Sequence, residues 1–202
     1  GAAAGGGLGK VLGGLLRVVD LSDNSLVGEA VTDSLLGLVT VKTCTRPGPF
    51  LLTLEGRAGA RYYDEALGRY VDFEAGRSLH ALVDQWDEHV GVSPLTEAAY
   101  RYALNQFKAG PADIAGGRAP LRSAGNLTGL TRAQAKMAND VVLTEVNRRL
   151  TANYALTSAR TLPTPIDAGS GANALQDTRY GRAAAVNGGL VQAAADYNPA
   201  LG

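Results

Sequence analysis

Near residue 93 the spacing of apolar residues changes from a period of about two to one of about 3.6, which commits the chain to strands first and helices after. Upstream, residues 15–21 (LLRVVDL) are aliphatic and β-branched, and the turn cluster Ser22-Asp23-Asn24-Ser25 follows. Residues 26–32 form the next run, closed by Asp33-Ser34. Residues 38–43 (LVTVKT) alternate apolar with polar, as a half-buried strand does. Pro47-Gly48-Pro49 interrupts, and 50–54 resumes the pattern. With 60–63, 70–73 and 79–83 this makes about seven strands at the roughly 8–12-residue spacing of a sandwich. No helix-length crossover separates them, which argues against a βαβ plan.

Downstream, Ser93 suits an N-cap and Pro94 the first helical position, where its missing N–H costs nothing. Leu95, Ala98, Ala99, Tyr102 and Gln106 then trace one helix face, and Gly110-Pro111 stops it. Thr131 caps a second helix reaching to about residue 154, with Ala138, Val142, Val146 and Leu150 stacked along it. After Leu162-Pro163-Thr164-Pro165 and Gly169-Ser170-Gly171, Asp177 caps a third helix, closed by Asn198-Pro199 and interrupted by Gly188-Gly189. The expected plan is α+β: a flexible arm over 1–14, an immunoglobulin-like antiparallel β-sandwich over 15–90, and a three-helix region over 91–202.

Composition excludes several partners. Net charge is zero and the Lys and Arg residues are scattered, so neither a nucleic-acid stripe nor a polybasic membrane patch is present. No apolar run approaches the roughly 18 residues of a membrane span. Charged residues are only 19% of the chain and Gly accounts for 26 of its 202 residues. That balance suits a surface packed against neighbours, and equally a small-residue bias without consequence. Cys44 stands alone, which excludes an internal disulfide and a cysteine metal cage. Lys42 and Arg46 would lower its thiol pKa, yet no His lies nearby in sequence, and a strand-end residue is the preferred reading. The small-residue start, Gly1 to Gly9, without an initiator Met, reads as processing of an exported protein or as trimming.

Val18-Val19-Asp20, then Val27-Gly28-Glu29-Ala30-Val31-Thr32-Asp33, then Gly37 before a strand resembles the opening of bacterial carboxypeptidase-regulatory-like and transthyretin-like modules of the immunoglobulin-like class. Tyr62-Tyr63-Asp64-Glu65, Val90-Gly91-Val92-Ser93-Pro94-Leu95-Thr96-Glu97-Ala98-Ala99 and Leu162-Pro163-Thr164-Pro165 resemble exported proteobacterial proteins, lipoproteins among them, that join such a module to a helical tail. The resemblance covers most of the chain in style and contains no invariant motif. It implies a spacer, adhesin segment or carbohydrate-facing domain outside the cell, without catalytic residues. A lipid anchor would then sit upstream of Gly1.

Candidate chemistry is sparse. Asp84-Gln85-Trp86-Asp87-Glu88-His89 gathers three carboxylates and an imidazole, a set suited to Ca²⁺, but its spacing fits no EF-hand and HExxH is absent. A solvated loop is the plainer reading. Tyr62 and Tyr63, beside Asp64, Glu65 and Tyr70, offer aromatic faces to a sugar, with Trp86 a further candidate. Strand alternation sends Tyr62 and Tyr63 to opposite faces, so one of them is expected in the core. His80 and His89 lack a Gly-x-Ser-x-Gly elbow, and Gly5-Gly6-Gly7-Leu8-Gly9-Lys10 lacks the GxxxxGK[ST] pattern. No segment places the paired carboxylates of a glycosidase, and Asn126-Leu127-Thr128 is read as a chance sequon. No catalytic residue, cofactor or metal site is expected.

The function expected is a structural one. A Gly-rich arm that turns aliphatic at Val11, Leu12, Leu15 and Leu16 could add a strand to the open edge of a neighbouring copy, giving a homopolymer. A surface-anchored module that recognises a glycan or protein partner is the alternative.

Overall fold

The computed structural model describes residues 2–6, 10–33, 38–41, 46–64, 67, 69–86, 89–107, 127–150, 152, 155–161, 183, 185–186 and 189–190. Among them run β1 (Ala2–Gly6), β2 (Val11–Leu12), β3 (Leu15–Asp20), β4 (Ser25–Val31), β5 (Leu38–Val41), β6 (Phe50–Glu55), β7 (Arg61–Asp64), β8 (Arg69–Asp72), β9 (Ser78–Val83) and β10 (His89–Val92). Two helices follow, α1 (Pro94–Gln106) and α2 (Arg132–Asn147).

The central sheet is antiparallel, in the order β4-β3-β6-β9. Its strands alternate as their sequences require. In β3, Leu16 and Val18 point inward, and in β6 Phe50, Leu52 and Leu54 do the same. A second sheet has the order β2-β7-β8 and a third β10-β1-β5. Val11 and Phe73 beside the second sheet, and Val41, Val90 and Val92 of the third, join Leu16, Val18, Leu52, Leu54, Ala81 and Val83 of the first in one buried cluster. Each large aliphatic member contributes roughly 1.5–3 kcal/mol on leaving water. One pairing departs from the antiparallel expectation: β1 runs parallel to β10 while antiparallel to β5.

The opposite face of the central sheet is covered by the helices. Leu82 of β9 packs with Ala99, Tyr100 and Ala103 of α1, with Ala135 and Ala138 of α2, and with Leu21, Leu127 and Leu130. Both helices start where their caps predict. Thr96 N–H donates to Ser93 Oγ at 3.4 Å while Thr96 Oγ1 accepts from Ser93 N at 2.8 Å. Thr131 and Gln134 form the same reciprocal pair at 3.2 and 3.0 Å. The third helix expected from Asp177 is described only at Ala183, Ala185, Val186, Gly189 and Leu190, which are helical. Ala183 is buried against Leu95 and Leu156.

β9 lies at an edge of the central sheet, so alternate backbone groups face away from β6. The helices supply their partners. His80 N–H donates to Glu97 Oε2 at 2.8 Å, the Leu82 carbonyl accepts from Asn139 Nδ2 at 3.0 Å, and the Asp84 carbonyl accepts from Arg132 Nε at 2.8 Å. Side chains from α1 and α2 thus replace a missing fifth strand. The approach of the β6 end to the chain after β8 is tighter still. Gly56 N–H donates to the Arg77 carbonyl at 2.9 Å, and a Cβ on Gly56 would lie 2.1 Å from the Glu74 carbonyl oxygen and 2.5 Å from that of Phe73.

Candidate assembly site and polar cavity

β1 is built from three Ala and two Gly, residues of low strand propensity. It is extended because both neighbours pair with it. Ala3 lies opposite Thr40 and Ala4 opposite Val39 on β5, while Ala4 pairs with Val90 and Gly6 with Val92 on β10. The walls of this slot are firmly held. Val41, Val90 and Val92 are buried, β10 leads directly into the capped start of α1, and Gly91 N–H donates to the Arg160 carbonyl at 2.9 Å.

The residues expected to reach a neighbour lie elsewhere, within the chain's own sheets. Val11 and Leu16 are buried in the sheet core, and Leu12 and Leu15 are half-buried. Val11 pairs with Tyr62 and Leu12 with Arg61, while Leu15 sits between Val31 and Glu55. The free arm over 1–14 is corrected to match: residues 2–6 and 11–12 are strands. Buried Thr32 fixes the step between β2 and β3. Its hydroxyl donates to the Val11 carbonyl at 2.8 Å and accepts from Gly14 N–H at 3.0 Å. Gly13 makes the step with a φ of +70°, a conformation that favours glycine.

The aromatic candidates do not converge. Tyr62 meets Phe73 edge-on at 6.1 Å, and burial, then the charge of Asp64, push its hydroxyl pKa up. Tyr63, on the opposite face, meets Tyr70 at 5.5 Å. Trp86 packs on Phe50 at 5.0 Å against the sheet core, and its Nε1 is buried without an acceptor. Each of the three rings packs on a different neighbouring ring, and no common platform joins them.

Sequence reasoning passed over two polar arrangements. In the first, Glu97 Oε2 takes both His80 Nδ1 and His80 N at 2.8 Å, while Oε1 accepts from Arg101 Nε at 2.7 Å. The His80 ring stacks on Tyr100 at 4.0 Å. Burial pushes the Glu97 pKa up, but the hydrogen bonds from His80 and Arg101 outweigh it and hold the group below its ordinary value.

The second lies beyond the end of β9. Asp84, first member of the acidic cluster, pairs with Arg160 at 3.1 Å, their side chains only 13% and 10% exposed. Arg160 Nη1 also donates to the Gln85 carbonyl at 2.7 Å. The pair borders a cavity of about 260 Å³, further lined by Lys136, Asn139, Asp140 and Leu143 of α2 and by Thr157, Ser158 and Ala159. Asp87 and Glu88 lie outside the described residues. Among the described residues no group of three or more His, Cys, Asp or Glu is placed to hold a metal ion, and no helix is long and apolar enough to cross a membrane.

Comparison with protein-family models, with curated proteins and with solved structures finds no match to this chain.

Proposed function

We propose that this chain is a non-enzymatic structural module of the cell exterior, an immunoglobulin-like sandwich with a three-helix layer, whose copies join by exchanging β1. The observation that carries the reading is the position of β1: a short Ala/Gly strand fills a slot between β5 and β10, two strands that would otherwise present bare edges. The same segment of a second copy would make the same backbone hydrogen bonds in the same register, so exchange leaves the pairing energy unchanged. Head-to-tail exchange leaves a slot at one end of the assembly and a β1 at the other, which lets a filament grow. The exterior location rests on the resemblance of 18–33 and 90–99 to modules of exported proteins.

The test uses the register. Ala4 and Val39 are antiparallel partners, about 4.5–5.5 Å apart at Cα and within disulfide reach. With Cys44→Ser, Ala4→Cys and Val39→Cys combined, oxidation across a concentration series should give a ladder of covalent oligomers in non-reducing gels. Regular filaments of the unaltered chain should appear by electron microscopy. Cross-linked monomer alone at every concentration would refute exchange. Deleting residues 1–9 should abolish assembly, and a peptide of that sequence should restore the shortened protein's thermal stability.

A further inference from the structure

We infer that the cavity beside Asp84 binds a neutral, hydroxyl-rich ligand of about one sugar ring. The charges around it balance: Asp84 and Asp140 against Lys136 and Arg160. An anion would meet two carboxylates there and a cation would meet two bases. Each charge is also already paired, Asp84 with Arg160 and Asp140 with Lys136. A zwitterion would have to break these pairs in order to make its own. A hydroxyl need not. It accepts from a cation while donating to a carboxylate oxygen, and so fits beside an ion pair without separating it.

The remaining lining suits the same chemistry. Thr157 is exposed, and Ser158 accepts from Arg160 N–H at 3.1 Å, which leaves its own O–H to donate. Leu143 and Ala159 offer an apolar patch to the C–H face of a ring. Asn139, among the lining residues, is held in place by its Nδ2, which donates to the Leu82 and Ala135 carbonyls. A volume of about 260 Å³ falls just below the roughly 300–1,000 Å³ of drug-sized sites, which limits the ligand to a single ring or one terminal unit.

Strand exchange is not needed for this binding, so either proposal can fail alone. Glucose, galactose and N-acetylglucosamine should each be titrated into the full chain by ligand-observed NMR, with inorganic phosphate and glycine as charged controls. Saturable binding of at least one sugar is expected in the millimolar range, with neither control competing. Asp140→Asn and Thr157→Val alter exposed side chains and should weaken binding at least about tenfold without changing the melting temperature. Three results overturn the inference: no saturable binding of any of the sugars, sugar binding that both variants leave unchanged, or binding of phosphate or glycine in preference.

Discussion

The two edges of the central sheet meet the same physical problem and resolve it differently. At β9 and the residue just past its end, three outward backbone groups on alternate residues are taken up by Glu97, Asn139 and Arg132. At β4, among the described residues, no strand pairs the outer edge, and Leu26 and Val31 stand 55% and 46% exposed. Arg17 bridges Glu29 and Glu55 across the neighbouring face at 3.2 and 3.0 Å, surface pairs of small energetic weight. The contrast shows that a sheet edge need not be closed by a strand. Helices that present one carboxylate, one amide and one guanidinium at the right heights close it as well. Backbone groups at β9 are thereby occupied by the helices, while the outer edge of β4 has no paired strand among the described residues.

The largest test of that contrast is Leu82→Ala. Leu82 is wholly buried between sheet and helices, and truncation should cost about 3 kcal/mol in urea unfolding. Leu26→Ala on the bare edge should fall within about 0.5 kcal/mol of the unaltered protein. Equal losses would mean that the helices do not seal β9.

Glu97→Gln comes next, at about 2 kcal/mol near neutral pH, because a part-buried charge-assisted pair to His80 is weakened. The Glu97 pKa is lowered in the folded protein, so its stabilisation is present above the ordinary carboxyl value and is lost as pH falls through the folded one. Urea midpoints from neutral to acid pH should therefore drop less steeply in Glu97→Gln than in the unaltered chain. Parallel curves would mean that Glu97 titrates as an ordinary surface acid.

The smallest effect belongs to Val31→Lys. A charge on an exposed edge strand should change stability by less than about 0.5 kcal/mol while opposing any pairing at that edge. A loss above about 1 kcal/mol, read from the same urea curves, would mean that β4 is covered after all.

Much of the framework was legible because it is written locally. The strands from residue 15 to residue 83 follow from alternation bounded by Asn24, Pro47-Gly48-Pro49 and similar breakers, and α1 and α2 from Ser93 and Thr131. What escaped has no local signature. β1 is Ala and Gly, β2 is two residues long, and β10 contains Gly91; each is extended only because partners elsewhere pair with it. The caps on β9 join residues 17, 57 and 48 positions apart, and Arg160 reaches Gln85 across 75. Periodicity placed Asn139 on α2 but gave no sign that its amide would serve a strand. The opposite facing of Tyr62 and Tyr63 was legible, since alternation alone decides it.

Gly56 carries a consequence for descent. The space its side chain would need is occupied by two backbone carbonyl oxygens, which no rotamer change can move aside. Gly59 and Gly76 differ, since a Cβ there would meet nothing within 4 Å and only their positive φ favours glycine. At Gly56, every sequence that keeps the close approach between the end of β6 and the chain after β8 must keep glycine too. A glycine immediately after a β6-like alternating run, with a strand pair beginning about five residues on and a further strand about twenty on, is therefore a mark by which distant kin of this chain can be sought when little else in their sequences agrees.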